Sequence, residues 1–198
     1  MKKNSEPDKM RYYRFFKALL VPIFKFWYRP TIIGKENIPE EGAILIVGNH
    51  KHVYDQCLAI MATKRTIHYM AKKEYFEGRH AWFFRMVGCI PVDRSKKDDE
   101  AVKAALDVLK KKEALGLFPE GTRNKTDQFL LPFKFGAVSM AHKTEALLVP
   151  FGLTGDYKFR SKNLTIRFGK PFKVGDDLAK ANEKLEKEVE KLMRANLD

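Results

Sequence analysis

The sequence predicts an α/β protein: a mixed, largely parallel sheet flanked by helices, with an N-terminal amphipathic helical segment suited to a membrane interface. Three observations carry that reading. Short, branched apolar runs without alternation occur at Ala43–Val47, Leu115–Phe118 and Ala146–Phe151, as strands covered on both faces should read. The first two stop at turns, Gly48-Asn49 and Pro119–Asn124, and helical stretches follow them. Residues 8–29 interleave aromatic and leucine side chains with regularly spaced Arg and Lys.

Composition bounds the rest. With 198 residues, 44% hydrophobic and 32% charged, the chain can bury one sizeable core and is not a disordered segment. Two cysteines make no disulfide framework and fit a reducing compartment. Neither Cys57 nor Cys89 has a histidine close in sequence, so both read as structural thiols. The net charge of +13 is uneven: residues 1–30 hold eight basic and two acidic side chains, whereas residues 176–198 hold five and seven. Such a protein seeks nucleic acid, a membrane or an anionic small molecule. No zinc-finger spacing, helix-turn-helix signature or RNP-type aromatic motif is present, so a nucleic-acid partner is not expected.

Taken in order, residues 1–30 form the first unit. Arg11, Arg14, Lys17, Lys25 and Arg29 share one arc of a helix, and Tyr12, Phe15, Phe16, Leu19, Leu20, Phe26 and Trp27 fill much of the remainder. A basic, aromatic stripe of this kind suits an anionic lipid surface, although packing on the domain's own core would also use it. The longest charge-free run, Ala18–Phe24, is too short to span a bilayer, and no cleavage-site pattern of a signal peptide follows. Pro22 should kink or divide the helix. Peripheral attachment at the cytoplasmic face of the cell membrane is the expected location.

Residues 31–198 form the α/β domain. Strands are expected at Thr31–Ile33, Ala43–Val47, Ile67–Met70, Cys89–Val92, Leu115–Phe118, Ala146–Phe151 and Leu164–Phe168, the last nearer an edge because it partly alternates. Helices are expected over Tyr54–Thr63, Glu74–Met86, Asp98–Lys112, from Lys134 onward, and over Asp177–Leu197. Asp98, Asp99 and Glu100 begin the third of these and Lys110–Lys112 end it, both favourable to the helix dipole.

The chemistry gathers at strand ends. His50 follows the Ala43–Val47 strand directly, and Asp55 stands five positions on, in the first turn of the next helix. Carboxyl ends of strands are where open α/β sheets place their sites. A carboxylate that holds an imidazole in one tautomer makes it a general base for a hydroxyl. Arg123, in the turn after Leu115–Phe118, offers a planar fork for a phosphate. Two other classes stay open on these residues: a metal-dependent hydrolase using His50, His52 and Asp55, and a non-catalytic membrane-surface adaptor.

Four blocks, Asn49-His50 through Asp55, Gly88–Arg94, Phe118–Arg123 and Val149-Pro150, stand in the order and at roughly the intervals of the motif blocks of the glycerolipid acyltransferases. Over about residues 31–170 the chain resembles the bacterial 1-acyl-glycerol-3-phosphate acyltransferase branch of that family. The resemblance implies His50 as general base and Asp55 as its orienting partner. It places Arg94, Glu120, Gly121, Thr122 and Arg123 around the acceptor phosphate, with Lys134 assisting, and Val149 and Pro150 on the acyl-donor side. His52 departs from the family, which commonly has Ser there. The implied substrates are a lysophospholipid and acyl-CoA or acyl carrier protein, with no cofactor and no metal. The implied product is phosphatidic acid.

Overall fold

The computed structural model describes residues 6–93, 95 and 98–198, residues 6–9 by their backbone only. Arg94 therefore lies outside the described residues.

Seven described strands form one sheet. They are β1 (Thr31–Ile33), β2 (Ile44–Gly48), β3 (Ile67–Lys72), β4 (Ile90–Val92), β5 (Ala114–Leu117), β6 (Leu147–Thr154) and β7 (Thr165–Phe168), in the order β1-β7-β6-β2-β5-β3-β4. The five from β6 to β4 run parallel, and β6 meets β7 antiparallel. β1 pairs with β7 in parallel, so these two form a reversed flap at one edge. β2 sits between β6 and β5, and all five of its residues are buried.

The pleat sorts β2 into two cores. Leu45 and Val47 pack with Leu115, Ala137, Leu185 and Val189, and Ile44 and Ile46 pack with Leu58, Ile67, Val149 and Phe151. The first core is roofed by α4 (Asp99–Lys110), α5 (Gly136–Thr144) and α6 (Leu178–Arg194), the second by α2 (Asp55–Ala62). Each fully buried Leu or Ile contributes about 1.5–3 kcal/mol relative to exposure, which is why a run without alternation can hold only in this layered position. Asp98 caps α4 by accepting from Ala101 N at 3.0 Å, and Asp177 caps α6 by accepting from Lys180 N at 2.9 Å.

Two expected elements differ. The helix expected over Glu74–Met86 is a 3-10 turn, Lys73–Phe76, and a short α3, Ala81–Met86, with Gly78 between them. β6 does not end at Gly152 but continues to Thr154. Gly152 is there for space: a Cβ on it would come within 2.5 Å of Met193 N in α6.

Helix α1 (Glu6–Tyr28) is not divided at Pro22. Proline removes one helical N–H, and Ala18, whose carbonyl loses that donor, is exposed to water. One face of α1 packs on the domain. Tyr13 is buried and its hydroxyl accepts from Ile67 N at 3.2 Å, while Phe16 meets Phe83 edge-on at 5.1 Å. Lys17, placed by periodicity on the basic arc, is half-buried instead: its ammonium donates to the Thr63 and Arg65 carbonyls beyond the end of α2. Burial pulls its pKa down to about 8. The opposite face leaves Phe15 and Phe26 61% exposed, with Leu19, Ile23 and Trp27 at least half exposed. No helix among the described residues is long and apolar enough to cross a membrane.

Candidate active site

β2 delivers His50 and α2 delivers Asp55, so the dyad joins a strand end to a helix start. His50 Nδ1 lies 2.7 Å from Asp55 Oδ2. The same oxygen accepts the backbone N–H groups of Lys51 at 2.7 Å and His52 at 2.8 Å, and Asp55 Oδ1 accepts the Tyr157 hydroxyl at 2.7 Å. Asp55 is fully buried, and these four donors satisfy it. With Nδ1–H committed to Asp55, Nε2 is the ring's acceptor and has no protein partner among the described residues. The Phe118 ring stacks on the imidazole at 4.0 Å and 13°, so rotation of the ring out of this plane is blocked.

A second layer holds His50 by its main chain. Glu120 Oε1 accepts His50 N–H at 2.5 Å and Oε2 accepts Leu131 N–H at 3.0 Å, while His50 C=O accepts Asn124 N–H at 2.6 Å. The turn after β5 is thereby bolted to the turn after β2. The resemblance puts Glu120 among the phosphate ligands; the structure shows it bonded to the main chain instead of facing outward. Both of its oxygens face backbone donors, it is buried, and a carboxylate would repel a phosphate. Burial raises its pKa, against the lowering effect of its two backbone hydrogen bonds.

Beyond Glu120 the turn opens outward. Gly121 has φ +70°, and a Cβ there would meet Lys134 Nζ at 2.8 Å, so glycine serves both the left-handed bend and the passage of the lysine. Thr122, Arg123 and Lys134 are exposed. The turn therefore exposes a hydroxyl and a guanidinium, and the Lys134 ammonium passes close to Gly121. Val149 and Pro150 lie buried in β6, opposite Ile46 and Val47 of β2.

The H-x-H-x-x-D cluster does not converge as metal ligands. The His52 ring stacks on Tyr157 at 4.2 Å, its Nδ1 accepts from Tyr54 N at 3.3 Å, and Asp55 is occupied. Burial, the largest of the influences on it, lowers the His52 pKa. Burial pushes the thiols of Cys57 and Cys89 up to about 12, as structural thiols require. His68 also has a structural place, between Gly88 O at 2.8 Å and Glu113 at 3.2 Å.

Tyr157 and Phe118 are the site residues that sequence reasoning missed. Phe118 stands inside a quoted block, and its place next to a strand end was a usable signal. Tyr157 is 102 residues from Asp55 and has no local signal.

Residues 29–154 match the family model described as Acyltransferase. The 1-acyl-sn-glycerol-3-phosphate acyltransferase of Bacillus subtilis is 31% identical over 172 residues, which covers 83% of this chain and 84% of that protein. The Streptococcus pneumoniae enzyme of the same name is 30% identical over 189 residues, covering 88% of this chain and 67% of its own. The crystal structure of the 1-acyl-sn-glycerophosphate acyltransferase PlsC from Thermotoga maritima has the same fold, with a TM-score of 0.80 at 20% identity over 98% of this chain and 83% of that one. The matched stretch contains His50, Asp55, the Glu120 clamp and the Arg123 turn, and the chain belongs to the acyltransferase family.

Proposed function

We propose that the protein transfers an acyl group from acyl-CoA or acyl carrier protein to the free hydroxyl of 1-acyl-glycerol 3-phosphate, giving phosphatidic acid for phospholipid synthesis. The observation that carries this reading is an imidazole whose Nδ1 is held by a buried, hydrogen-bonded carboxylate and whose main chain is bonded to the turn that exposes Thr122 and Arg123. His50 Nε2 takes the hydroxyl proton as the oxygen attacks the thioester carbonyl; the C–O bond forms, the C–S bond breaks, and the thiolate leaves with the proton available from the imidazolium. The acyl group is already activated, so neither an acyl-enzyme nor a cofactor is needed. The chain accordingly has no G-x-S-x-G elbow. Arg123 binds the acceptor phosphate with its fork, Thr122 and Lys134 add a hydroxyl and a charge, and Arg94 belongs to the same site by resemblance.

The outer face of α1 is proposed to lie on an anionic membrane surface. Its apolar side chains are exposed, and Arg11 and Arg14 are free to meet headgroups, whereas Lys17 is not. Names carried by two relatives support the choice of acceptor. The test is purified protein with one labelled acyl donor and acceptors with and without phosphate. Transfer to the lysophosphatidate well above glycerol 3-phosphate and neutral lysolipids is expected. Preference for glycerol 3-phosphate would move the assignment to that acceptor. Co-sedimentation with anionic and neutral vesicles tests the surface: reversing Arg11 and Arg14 should weaken only the anionic case.

A further inference from the structure

Among the described residues, the Tyr157 hydroxyl is the donor on Asp55 Oδ1, while Oδ2 takes the other three. The phenol comes from the loop between β6 and β7, and that loop rests on α1. The Tyr157 ring meets Tyr28 edge-on at 5.5 Å and Phe24 at 6.4 Å, and those two rings are 4.6 Å apart. The same loop is tied to α1 by the Arg160 N–H, which donates to Trp27 O at 2.7 Å, and by Phe159 against Trp27 at 4.8 Å. A continuous chain of contacts thus runs from the last turns of α1 to the buried carboxylate.

A carboxylate held on one oxygen can still pivot, and the imidazole bonded to it pivots too. A donor on each oxygen fixes the plane of both. Burial and the Asp55 charge keep the Tyr157 phenol protonated, so it stays a donor. We infer that Tyr157 is a positioning residue for Asp55, held in place by Phe24 and Tyr28, so that the seating of α1 on the domain sets the turnover of the dyad. This rests on the general-base reading of His50 and Asp55. It makes α1 part of the catalytic frame as well as a surface contact, and its effect reaches acceptors that never touch a membrane.

The test uses the full chain and a water-soluble short-chain acceptor without vesicles. Tyr157→Phe keeps the ring contacts and removes one hydrogen bond to a charged group, so kcat should fall about tenfold while both KM values stay within about twofold. The pair Phe24→Ala with Tyr28→Ala should lower kcat comparably, and adding Tyr157→Phe to that pair should lower it no further, because one link is broken in each case. If the alanine pair unfolds, Phe24→Leu with Tyr28→Leu keeps apolar bulk and takes its place. Full kcat in folded Tyr157→Phe, or losses that multiply, would overturn the inference. Asp55→Asn separates the two readings. If it is folded and fully active, the dyad reading fails; if it is inactive while Tyr157→Phe is fully active, only the Tyr157 inference fails.

Discussion

The two halves of the site are built on opposite plans. Around Asp55 both carboxylate oxygens have internal donors, the carboxylate is out of water, and His50 is held by its ring, its N–H and its C=O. Around Arg123 the turn is exposed, and among the described residues no acidic side chain pairs with Arg123 or Lys134. On the proposed general-base reading the first half is assembled before any substrate arrives, because a misdirected base loses its reaction geometry. On the same reading the second half keeps its donors unspent for the acceptor phosphate. One region stores precision and the other stores capacity to bind.

The sharpest break in that comparison is His50→Ala. Turnover should fall by about 10²–10⁴, the usual worth of a general base, with thermal unfolding little changed because the main-chain clamp persists. Near-normal turnover in a folded variant would remove the base. Next comes Glu120→Gln. An amide can accept only one of the two backbone N–H groups, so one buried donor is left unpaired at a cost of about 1–3 kcal/mol. Both the unfolding midpoint and kcat should drop, and a loss confined to acceptor KM would return Glu120 to the phosphate site.

Arg123→Ala should act on the other half alone. Acceptor KM should rise by about tenfold, the worth of one charge-assisted contact, with donor KM unchanged. An equal loss for a phosphate-free acceptor would show that Arg123 holds the turn. The smallest effect concerns the thiols. With both pKa values raised to about 12, Cys57 and Cys89 stay protonated until pH approaches that value, and iodoacetamide at pH 8 should leave activity unchanged. Rapid inactivation would place a reactive thiol at the site.

Much of this was legible in the chain because it is local. His50, just past its strand, and Asp55, at the start of its helix, are five residues apart, and periodicity plus turn chemistry suffices to place both. The same holds for the turn carrying Arg123. What escaped is what the sheet brings together from afar. Glu120 is acidic in a group meant to bind an anion, and only the approach of the two turns shows that it serves His50 N–H. Tyr157 reaches Asp55 across the β6–β7 loop, which no spacing predicts. Lys17 follows the charge pattern of its neighbours, yet the bare carbonyls past α2 draw it inward. Val149 and Pro150 were placed by resemblance, whose order of blocks does not say which of them reaches solvent.

The reversed flap of β1 and β7 has its own consequence for how the protein comes to be. Thr31 pairs with Thr165 and Ile33 with Arg167, so this edge waits for nearly the whole domain to be synthesised. Closing so long a loop carries an entropic cost that the pairing of β1 with β7 must offset. β7 can meet β6 across a short loop, so the step expected last at this edge is the docking of β1, and β1 variants that unfold faster while folding at an unchanged rate would check it.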